Sequence, residues 1–254
     1  MRKLSVIGIG AGNPDYLTLQ AAKALQNLDV VFLIDKGQDK CNDKSALAQL
    51  RKDICEQHIH KPYRIVEAKD PERDRAPASY EKAVADWHEK RAAIYATMIR
   101  DELTDDQNGA FLVWGDPCLY DSTLRILDRV AATGTVAFEV EVIPGITAVQ
   151  ALAAQHRIPI NRIGEPVVLT TGRRYAAGER TADDAVVMLD GECAFKTAPD
   201  DTEIFWGAYL GTPDEVLISG RVGEKKAEIE ATRSAARERH GWIMDTYLLR
   251  KRAT

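Results

Sequence analysis

One apolar run that ends abruptly constrains the fold of this chain more than any other feature. Residues 110–114 read Ala-Phe-Leu-Val-Trp and are followed directly by Gly115-Asp116-Pro117. Five such residues are typical of a buried strand, and the Gly-Asp-Pro sequence predicts a rigid turn where the strand stops. In open α/β sheets, ligands bind outside the carboxyl ends of the strands. The run therefore predicts a ligand-binding edge with a carboxylate beside it.

Two further strands are predicted to end in glycine-containing loops. Residues 4–9 lead into a loop with Gly8, Gly10 and Gly12, and the strand at 140–143 leads into Pro144-Gly145. A helix is expected to start near Thr147. The predicted strands of this half are 4–9, 30–34, 63–67, 110–114 and 140–143, and its helices are 17–28, 44–58, 80–103, 122–132 and the one from 147. Strands that alternate with helices indicate a parallel sheet covered by helices.

The pattern changes after Ile160. Strand candidates there are 167–171, 185–189, 203–207, 215–219 and 242–249, with helical signal at 192–198 and 224–240. We therefore predict a domain boundary near 161–165, with an N-terminal α/β domain at 1–162 and a mixed α+β domain at 163–254.

Charge and cysteine usage exclude several classes of function. The chain has 254 residues and a net charge of −5, so it carries no overall basic surface for nucleic acid or anionic lipid. No apolar run approaches the roughly 18 residues of a membrane span, and the first residues lack a signal-peptide pattern. Cys41, Cys55, Cys118 and Cys193 include no close pair, which favours neither a metal site nor a disulfide framework. Reduced thiols in a cytoplasmic protein are the simplest interpretation.

The glycine loop after the first strand departs from a dinucleotide-binding fingerprint. That fingerprint has a third glycine three residues after the second, where this chain has Asn13 followed by Pro14. The helix is also expected to begin late, near Tyr16 or Leu17, too far along to hold a pyrophosphate. Two interpretations stay open, namely a tight turn without ligand and a loop that lets a ligand approach the backbone.

Three segments together resemble the tetrapyrrole methylases, which transfer methyl groups from S-adenosylmethionine (SAM) to a macrocycle. They are residues 6–19, 115–121 and 142–148, and residues 210–216 look like a late segment of that family's second domain. The resemblance implies two α/β domains, with a parallel-rich sheet in the first, a mixed sheet in the second and a ligand cleft between them. It also implies a homodimer. Ala11 and Asn13 depart from the family's usual Gly-x-Gly-Pro-Gly-Asp-Pro loop, which weakens any role for a carboxylate at 13.

Two segments narrow the resemblance within the family. Residues 114–123 and 241–250 are most similar to the branch that works in the aerobic route to cobalamin and releases acetate from the macrocycle. Three alternatives stay open. They are another tetrapyrrole or diphthine-type SAM methyltransferase, a non-catalytic module that binds SAM or a tetrapyrrole, and a nicotinamide oxidoreductase.

The resemblance also implies which residues contact SAM, whose demethylated product is S-adenosylhomocysteine. The implied contacts are Pro14, Gly115, Asp116, Cys118, Leu119, Thr147, Ala148, Met188, Leu189, Trp206 and Gly207. Structural roles compete with this assignment, because Asp116 suits a turn, Thr147 suits a helix N-cap, and Met188 and Leu189 suit a core.

Charged residues near predicted strand ends are candidates for the macrocycle and its chemistry. Lys36, Arg173 and Arg174 are candidates for binding its acetate and propionate groups, with solvated surface charge as the alternative. Asp121 and Tyr120 are candidate catalytic groups for the water that releases the acetyl group. The alternative for Asp121 is a cap on the helix at 122, and for Tyr120 simple packing. We expect no metal ion in this chemistry.

Overall fold

A computed structural model describes residues 1–35, 45–72, 80–179, 181–241 and 243–251. The chain forms two compact units. Among the described residues, the first unit comprises 1–10, 14–35, 45–72 and 80–146, and the second comprises 11–13 and the residues from 147 onward.

The first unit contains a parallel sheet. Its strands are β1 (Arg2–Gly8), β2 (Val30–Asp35), β3 (Arg64–Lys69), β4 (Asn108–Val113) and β5 (Phe138–Ile143). Its helices are α1 (Leu19–Leu25), α2 (Ser45–His58), α3 (Tyr80–Glu102) and α4 (Thr123–Thr133). Within the described part of the chain the strand order is β3-β2-β4-β1-β5, and every recorded pairing is parallel. The parallel sheet predicted for this half is confirmed.

The two faces of this sheet bury different side chains, because successive strand residues point to opposite faces. Val6 and Phe111 pack with residues of α3 and α4, such as Tyr95 and Ile126. Ile7 and its neighbours pack on the other face with α1 and α2. Both faces are therefore covered, and this burial explains why the strands read as nearly continuous apolar runs.

The second unit contains a mixed sheet, as predicted. Its strands are β6 (Val167–Thr171), β7 (Asp184–Met188), β8 (Glu203–Ala208), β9 (Val216–Arg221) and β10 (Asp245–Arg250). Its helices are α5 (Ala148–His156), α6 (Gly172–Ala176) and α7 (Val222–His240). In the described ranges the order is β6-β7-β10-β8-β9, with β6 and β7 parallel and the other pairs antiparallel.

The division between the units differs from the predicted boundary at 162/163. The second unit begins at Thr147, so it includes α5. The reason is packing, because a side chain added at Gly207 of β8 would meet Leu152 of α5, and His156 shares a hydrogen bond with the Trp206 carbonyl at 3.0 Å. Residues 11–13 also group with this unit, since a side chain added at Gly12 would overlap the Leu210 carbonyl.

Element ends agree with the predictions to within a few residues, and two short helices were not predicted. They are α6 and a 3-10 helix at Pro14–Tyr16. The signal at 192–198 corresponds to a 3-10 helix at Ala194–Thr197. None of the described helices is long and apolar enough to cross a membrane.

Candidate functional site

The carboxyl edge of the first sheet has a switch point between β1 and β4. These strands are neighbours, yet the chain leaves β1 toward β2 and leaves β4 toward β5, in opposite directions along the sheet. The helices that follow them, α1 and α4, pack on opposite faces. Ligands of open α/β sheets bind outside the carboxyl ends of the strands, where the connections of neighbouring strands pass to opposite faces. The predicted ligand edge therefore agrees with the strand order of the described part of this sheet.

The loops after β1 and β4 are joined by main-chain hydrogen bonds. The Gly115 amide donates to the Gly10 carbonyl at 2.8 Å, and the Gly10 amide donates to the Gly115 carbonyl at 3.3 Å. Both glycines have positive φ, +81° at Gly10 and +70° at Gly115. This conformation carries no steric penalty for glycine, which explains why the residue stands at both positions.

Glycine is also required where the β5 loop approaches β1. A Cβ added at Gly8 would lie 2.6 Å from the Gly145 amide nitrogen, and one added at Gly145 would overlap the Gly115 carbonyl. At Gly10 the nearest atom would be Tyr16 Cβ, at 2.7 Å. The space that these glycines leave is therefore filled by protein. Of the two open interpretations of the loop, the structure supports tight packing of loop on loop at these positions.

Asp116 fixes two of these loops with one side chain. Its Oδ1 accepts from the Cys118 amide at 2.7 Å, and its Oδ2 accepts from the Gly145 amide at 2.9 Å. The first bond is the turn-capping role expected as the alternative to ligand binding. The second joins the β4 loop to the β5 loop. Asp116 thus stabilises the shape of the edge, whether or not it also contacts a ligand.

Residues after Asp116 present a partly exposed surface. Cys118 and Tyr120 are exposed, Leu119 is half-buried, and Pro14 of the neighbouring loop is exposed. Desolvation and the Asp116 carboxylate both raise the pKa of the Cys118 thiol, so it stays protonated at neutral pH. Tyr120 has a φ of +51°, an unusual value for a bulky residue. The segment is suited to binding through main chain and apolar surface rather than through a reactive sulfur.

Asp121 caps α4. Its Oδ1 accepts from the Thr123 amide at 2.6 Å, at the first residue of the helix. Its negative charge acts on two neighbours from other helices, Arg51 of α2 and Tyr95 of α3. The capping role is therefore observed, while the carboxylate also lies within a cluster of ionisable groups.

The second unit gathers its candidates at one edge of its own sheet. The register aligns Thr171 with Met188, Met188 with Thr246, and Thr246 with Gly207. Met188 and Gly207 therefore stand at the same edge, and Leu189 and Arg173 directly follow the strands that end there. Candidates that lie far apart in sequence thus come together at this edge.

Leu189 is the most unusual of these residues. It is 66% exposed and has a φ of +53°, so an apolar side chain stands in solvent on a strained backbone. Single exposed apolar side chains are common on protein surfaces, but backbone strain of this kind tends to occur at functional sites. Met188, just before it, is half-buried.

Trp206 does not form the wall that the resemblance implied. Its side chain is fully buried in the core of the second unit, and its indole donates to Asp245 Oδ2 at 2.8 Å. Gly207 is buried against Leu210 and Leu152. Alternation along β8 directs the Trp206 side chain into the core, so the predicted contact is corrected for that side chain.

A buried polar network behind Leu189 was missed by sequence reasoning. Asp190 Oδ2 accepts from the Ala194 amide at 2.6 Å and from the Tyr247 hydroxyl at 2.7 Å, and Oδ1 accepts from the Glu192 amide at 3.0 Å. Arg233 of α7 donates to the Asp190 carbonyl and pairs with Asp245 at 2.9 Å. The network fixes the loop after β7. The only signal in the sequence was a carboxylate directly after a strand.

Burial changes the protonation of this network. Desolvation raises the pKa of Asp245, although the Arg233 guanidinium opposes the rise. Desolvation, and then the Asp190 carboxylate, raise the pKa of the Tyr247 hydroxyl, which therefore remains a donor at any physiological pH. The described residues contain no group of three or more His, Cys, Asp or Glu side chains placed to hold a metal ion.

Thr147 is the N-cap of α5. Its hydroxyl oxygen accepts from the Gln150 amide at 3.4 Å, and the Gln150 side chain accepts from the Thr147 amide at 2.9 Å. This reciprocal arrangement is a capping box. Thr147 is buried and Ala148 is half-buried.

The basic candidates are only partly described. Arg173 and Arg174 are exposed on α6, directly after β6, and Arg174 pairs with Glu179 at 2.6 Å. Lys36 lies outside the described residues.

Comparison with known proteins agrees with this architecture. Residues 3–226 match the family model described as Tetrapyrrole (Corrin/Porphyrin) Methylases. The chain is 53% identical over 256 residues to a precorrin-6A synthase [deacetylating] from Sinorhizobium sp., covering 100% of this chain and 97% of that protein.

Two solved structures extend the comparison. A cobalamin synthesis related protein (CobF) from Corynebacterium diphtheriae superposes with a TM-score of 0.83 at 44% identity, covering 98% of each chain. A uroporphyrin-III-C-methyltransferase from Thermus thermophilus shares the fold, with a TM-score of 0.62 at 20% identity over 98% of this chain and 92% of that one. A match through both units, to a family model and to a relative over its whole length, leaves one assignment: the chain belongs to the tetrapyrrole methylase family.

Proposed function

We propose that this protein is a SAM-dependent C-methyltransferase that methylates carbon 1 of precorrin-5 and releases the acetyl group there as acetate, giving precorrin-6A. The observation that carries the proposal is the 53% identity to a deacetylating precorrin-6A synthase over the whole chain. The 44% identity to CobF over nearly its full length supports the same assignment.

The residues present fit SAM by their chemistry. SAM combines a flat adenine, a ribose, an amino-acid end and a sulfonium cation. An exposed leucine beside a half-buried methionine suits the adenine, and main-chain groups of a fixed loop suit the polar end. When bound, SAM supplies a methyl group that is already activated by its sulfonium.

Each unit supplies its own proposed contacts. In the first unit they are Pro14, Gly115, Asp116, Cys118 and Leu119. In the second they are Thr147, Ala148, Met188, Leu189 and the main chain at Gly207. Asp116 holds the first set in shape through its bonds to the Cys118 and Gly145 amides, and Asp190 holds the loop of Leu189.

The task of these residues is positioning. Holding donor and acceptor carbon in line and excluding water supplies much of the rate of a transfer reaction. To release the acetyl group, water adds to its carbonyl and the bond between that carbon and the ring breaks. The electron pair stays in the π-system of the macrocycle, and acetate leaves.

Asp121 and Tyr120 are the proposed catalytic groups for that hydrolysis. Tyr120 is 41% exposed, which suits contact with a flat macrocycle. Asp121→Asn keeps an oxygen that can accept from the Thr123 amide, so it removes the charge and spares the cap. If Asp121 is the general base, acetate release should fall about 100-fold while the thermal midpoint stays close to that of the wild type. An unchanged rate of acetate release would leave Asp121 as a cap alone.

The proposal as a whole is tested by incubating the purified protein with SAM and precorrin-5. We expect a corrin of the mass of precorrin-6A, with one acetate and one S-adenosylhomocysteine for each turnover. Methylation of precorrin-5 without release of acetate would point to a different member of the family. So would methylation of only another tetrapyrrole or a diphthine precursor. SAM binding without turnover would favour a binding module, and binding of a nicotinamide cofactor without SAM would favour an oxidoreductase.

The resemblance also leads us to propose a homodimer in the cytoplasm. Sedimentation at micromolar concentration tests whether the protein is a dimer, and cell fractionation tests whether it lies in the cytoplasm.

A further inference from the structure

The loop after β7 is exposed on one side and fixed from the other. Leu189 and Glu192 are exposed, whereas Asp190 between them is only 6% exposed. The contacts that decide where Leu189 stands are therefore made on the buried side of the loop. A non-glycine residue with a φ of +53° keeps that conformation only when its surroundings fix the backbone, because the strain would otherwise be relieved.

The carboxylate of Asp190 supplies part of this fixation. It accepts from the Glu192 and Ala194 amides, which closes the loop on itself, and from the Tyr247 hydroxyl of β10. The same side chain packs against the start of α6, since a side chain added at Gly172 would overlap it. Asp190 thus ties the loop to β10 and to the helix that follows β6, the two strands that flank β7.

The main chain of the same residue is held from α7. Arg233 Nη2 donates to the Asp190 carbonyl, one residue after Leu189, and Nη1 donates to Cys193 Sγ. The guanidinium also pairs with Asp245, from Nε at 2.9 Å and from Nη2 at 3.3 Å. One buried cation therefore joins a carboxylate of β10 to two points of the loop.

Arg233 keeps its charge in this position. Desolvation alone would lower the pKa of the guanidinium, but the Asp245 carboxylate raises it, and the pKa lies above its ordinary value. Hydrogen bonds from a charged donor are stronger than those between neutral groups. The Asp190 carbonyl thus accepts a charge-assisted bond, which holds the main chain beside Leu189 more firmly than a contact with solvent would.

A second buried carboxylate of β7 is also paired with arginine, but at the other end of the strand. Asp184, the first residue of β7, is fully buried and accepts from Arg162 at 2.9 and 3.1 Å and from Arg250 at 3.2 Å. Leu189 directly follows the last residue of that strand. Arg162 therefore stabilises the same strand as Arg233 does without touching the loop of Leu189.

From these contacts we infer that Arg233 is a positioning residue for the cofactor, because its bond to the Asp190 carbonyl holds Leu189 in the conformation that packs on the adenine of SAM. The inference rests on the proposed function, to which SAM and its contact with Leu189 belong. A loop that is already held in its bound conformation binds more tightly, since less ordering is left to occur when the ligand arrives. Arg233 is only 8% exposed and acts through the loop.

Arg233→Lys tests this role. A lysine keeps a positive charge for Asp245, but its single nitrogen cannot take the places of two guanidinium nitrogens, so the Asp190 carbonyl loses its donor. We expect the Kd for S-adenosylhomocysteine to rise about fivefold, and the KM for SAM to rise by a similar factor with a smaller change in kcat.

Arg162→Lys is the matched control, since it makes the same change at an arginine that pairs with a buried carboxylate at the other end of β7. It should leave the Kd for S-adenosylhomocysteine unchanged even where it lowers the thermal midpoint. An equal rise of the Kd in both variants would show that affinity merely follows the stability of the second unit, and would overturn the inference.

A double-mutant cycle with Leu189→Gly separates positioning from a general loss of stability. If Arg233 acts through Leu189, Arg233→Lys should weaken binding little once the leucine is gone. The double variant should then bind S-adenosylhomocysteine as weakly as Leu189→Gly alone, about tenfold below the wild type. Independent effects would multiply to about 50-fold, and that result would contradict the positioning role.

Hydrogen exchange gives a readout that needs no ligand. The Ala194 amide donates to the Asp190 carboxylate, so it should exchange about tenfold faster in Arg233→Lys than in the wild type, and faster than in Arg162→Lys. Should Arg233→Lys fail to fold, Tyr247→Phe takes its place, because it removes one donor to Asp190 and keeps the ring. That variant should raise the Kd for S-adenosylhomocysteine about threefold. An unchanged Kd would overturn the inference.

Failure of the inference and failure of the proposed function give different results. Wild-type protein that binds S-adenosylhomocysteine, with an Arg233→Lys variant of unchanged Kd, overturns the role of Arg233 alone. Wild-type protein that binds no S-adenosylhomocysteine overturns the proposed function, and the inference with it.

Discussion

The carboxylate of Asp116 joins the loop after β4 to the loop after β5, because its Oδ2 accepts the Gly145 amide at 2.9 Å while its Oδ1 accepts the Cys118 amide at 2.7 Å. One side chain thereby provides the acceptor for a main-chain amide in each of two loops. The shape of the candidate site in the first unit depends on this relationship.

Replacing Asp116 should therefore affect both stability and ligand binding. Asp116→Ala leaves two main-chain amides without their acceptor, and we expect the free energy of unfolding to fall by about 1–3 kcal/mol. Asp116→Asn retains one side-chain oxygen and should lose less. Urea unfolding gives the stability, and calorimetry with S-adenosylhomocysteine gives the affinity. Equal stability of all three proteins would contradict the bracing role.

Gly145 should tolerate no side chain. A Cβ there would overlap the Gly115 carbonyl and lie 2.8 Å from the Gly8 carbonyl carbon, and neither group of main-chain atoms can move without breaking the loop contacts. Gly145→Ala should lower the free energy of unfolding by at least about 2 kcal/mol. Gly191→Ala is the control, because a Cβ at Gly191 meets nothing within 4 Å. That variant should be neutral or up to about 1 kcal/mol more stable.

Much of the fold could be predicted from the sequence because its signals are local. The apolar run at 110–114 ends at a turn that the residues Gly115-Asp116-Pro117 make almost obligatory, and the strand–helix alternation fixes a parallel sheet. The position of the unit boundary was harder to predict. The boundary depends on whether α5 packs onto the second sheet. That packing places Leu152 of α5 against Gly207 of β8, and the two residues lie far apart in sequence.

In the candidate site, too, features that depend on local sequence could be predicted, and those that depend on contacts between distant segments could not. Asp116 was identified because it follows a strand, but its bond to Gly145 depends on the strand order, which the sequence does not reveal. The contact of Trp206 with a ligand was implied by the family resemblance, and the resemblance alone does not fix which face of the strand the side chain takes. A shift of one residue in the alternation moves a side chain from surface to core. Asp190, Arg233 and Tyr247 became a network only when three distant segments were brought together.

His156 should make stability depend on pH. Partial burial lowers its pKa below 6.5, against the opposing effect of the Trp206 carbonyl. As pH falls through about 6.5, the unfolded chain takes up a proton at this residue and the folded chain does not. The folded state therefore loses stability, until the pH reaches the lower folded pKa. Urea unfolding between pH 7.5 and 5.5 should show this fall, and His156→Gln, which keeps a donor for the Trp206 carbonyl, should reduce it. An unchanged pH dependence in that variant would assign the effect to other groups.

We expect Leu189 to lower the stability of the fold and to strengthen binding of the cofactor. A non-glycine residue at a φ of +53° is strained, and its side chain is 66% exposed, so Leu189→Gly should raise the free energy of unfolding by about 1 kcal/mol. If Leu189 packs on the adenine, the same variant should bind S-adenosylhomocysteine about tenfold more weakly, because the buried apolar contact is lost. Arg157→Gly is the matched control, since Arg157 has a φ of +56° at the end of α5. It should gain similar stability with unchanged affinity. A stabilised Leu189→Gly variant with wild-type affinity would show that the exposed leucine serves something other than the cofactor.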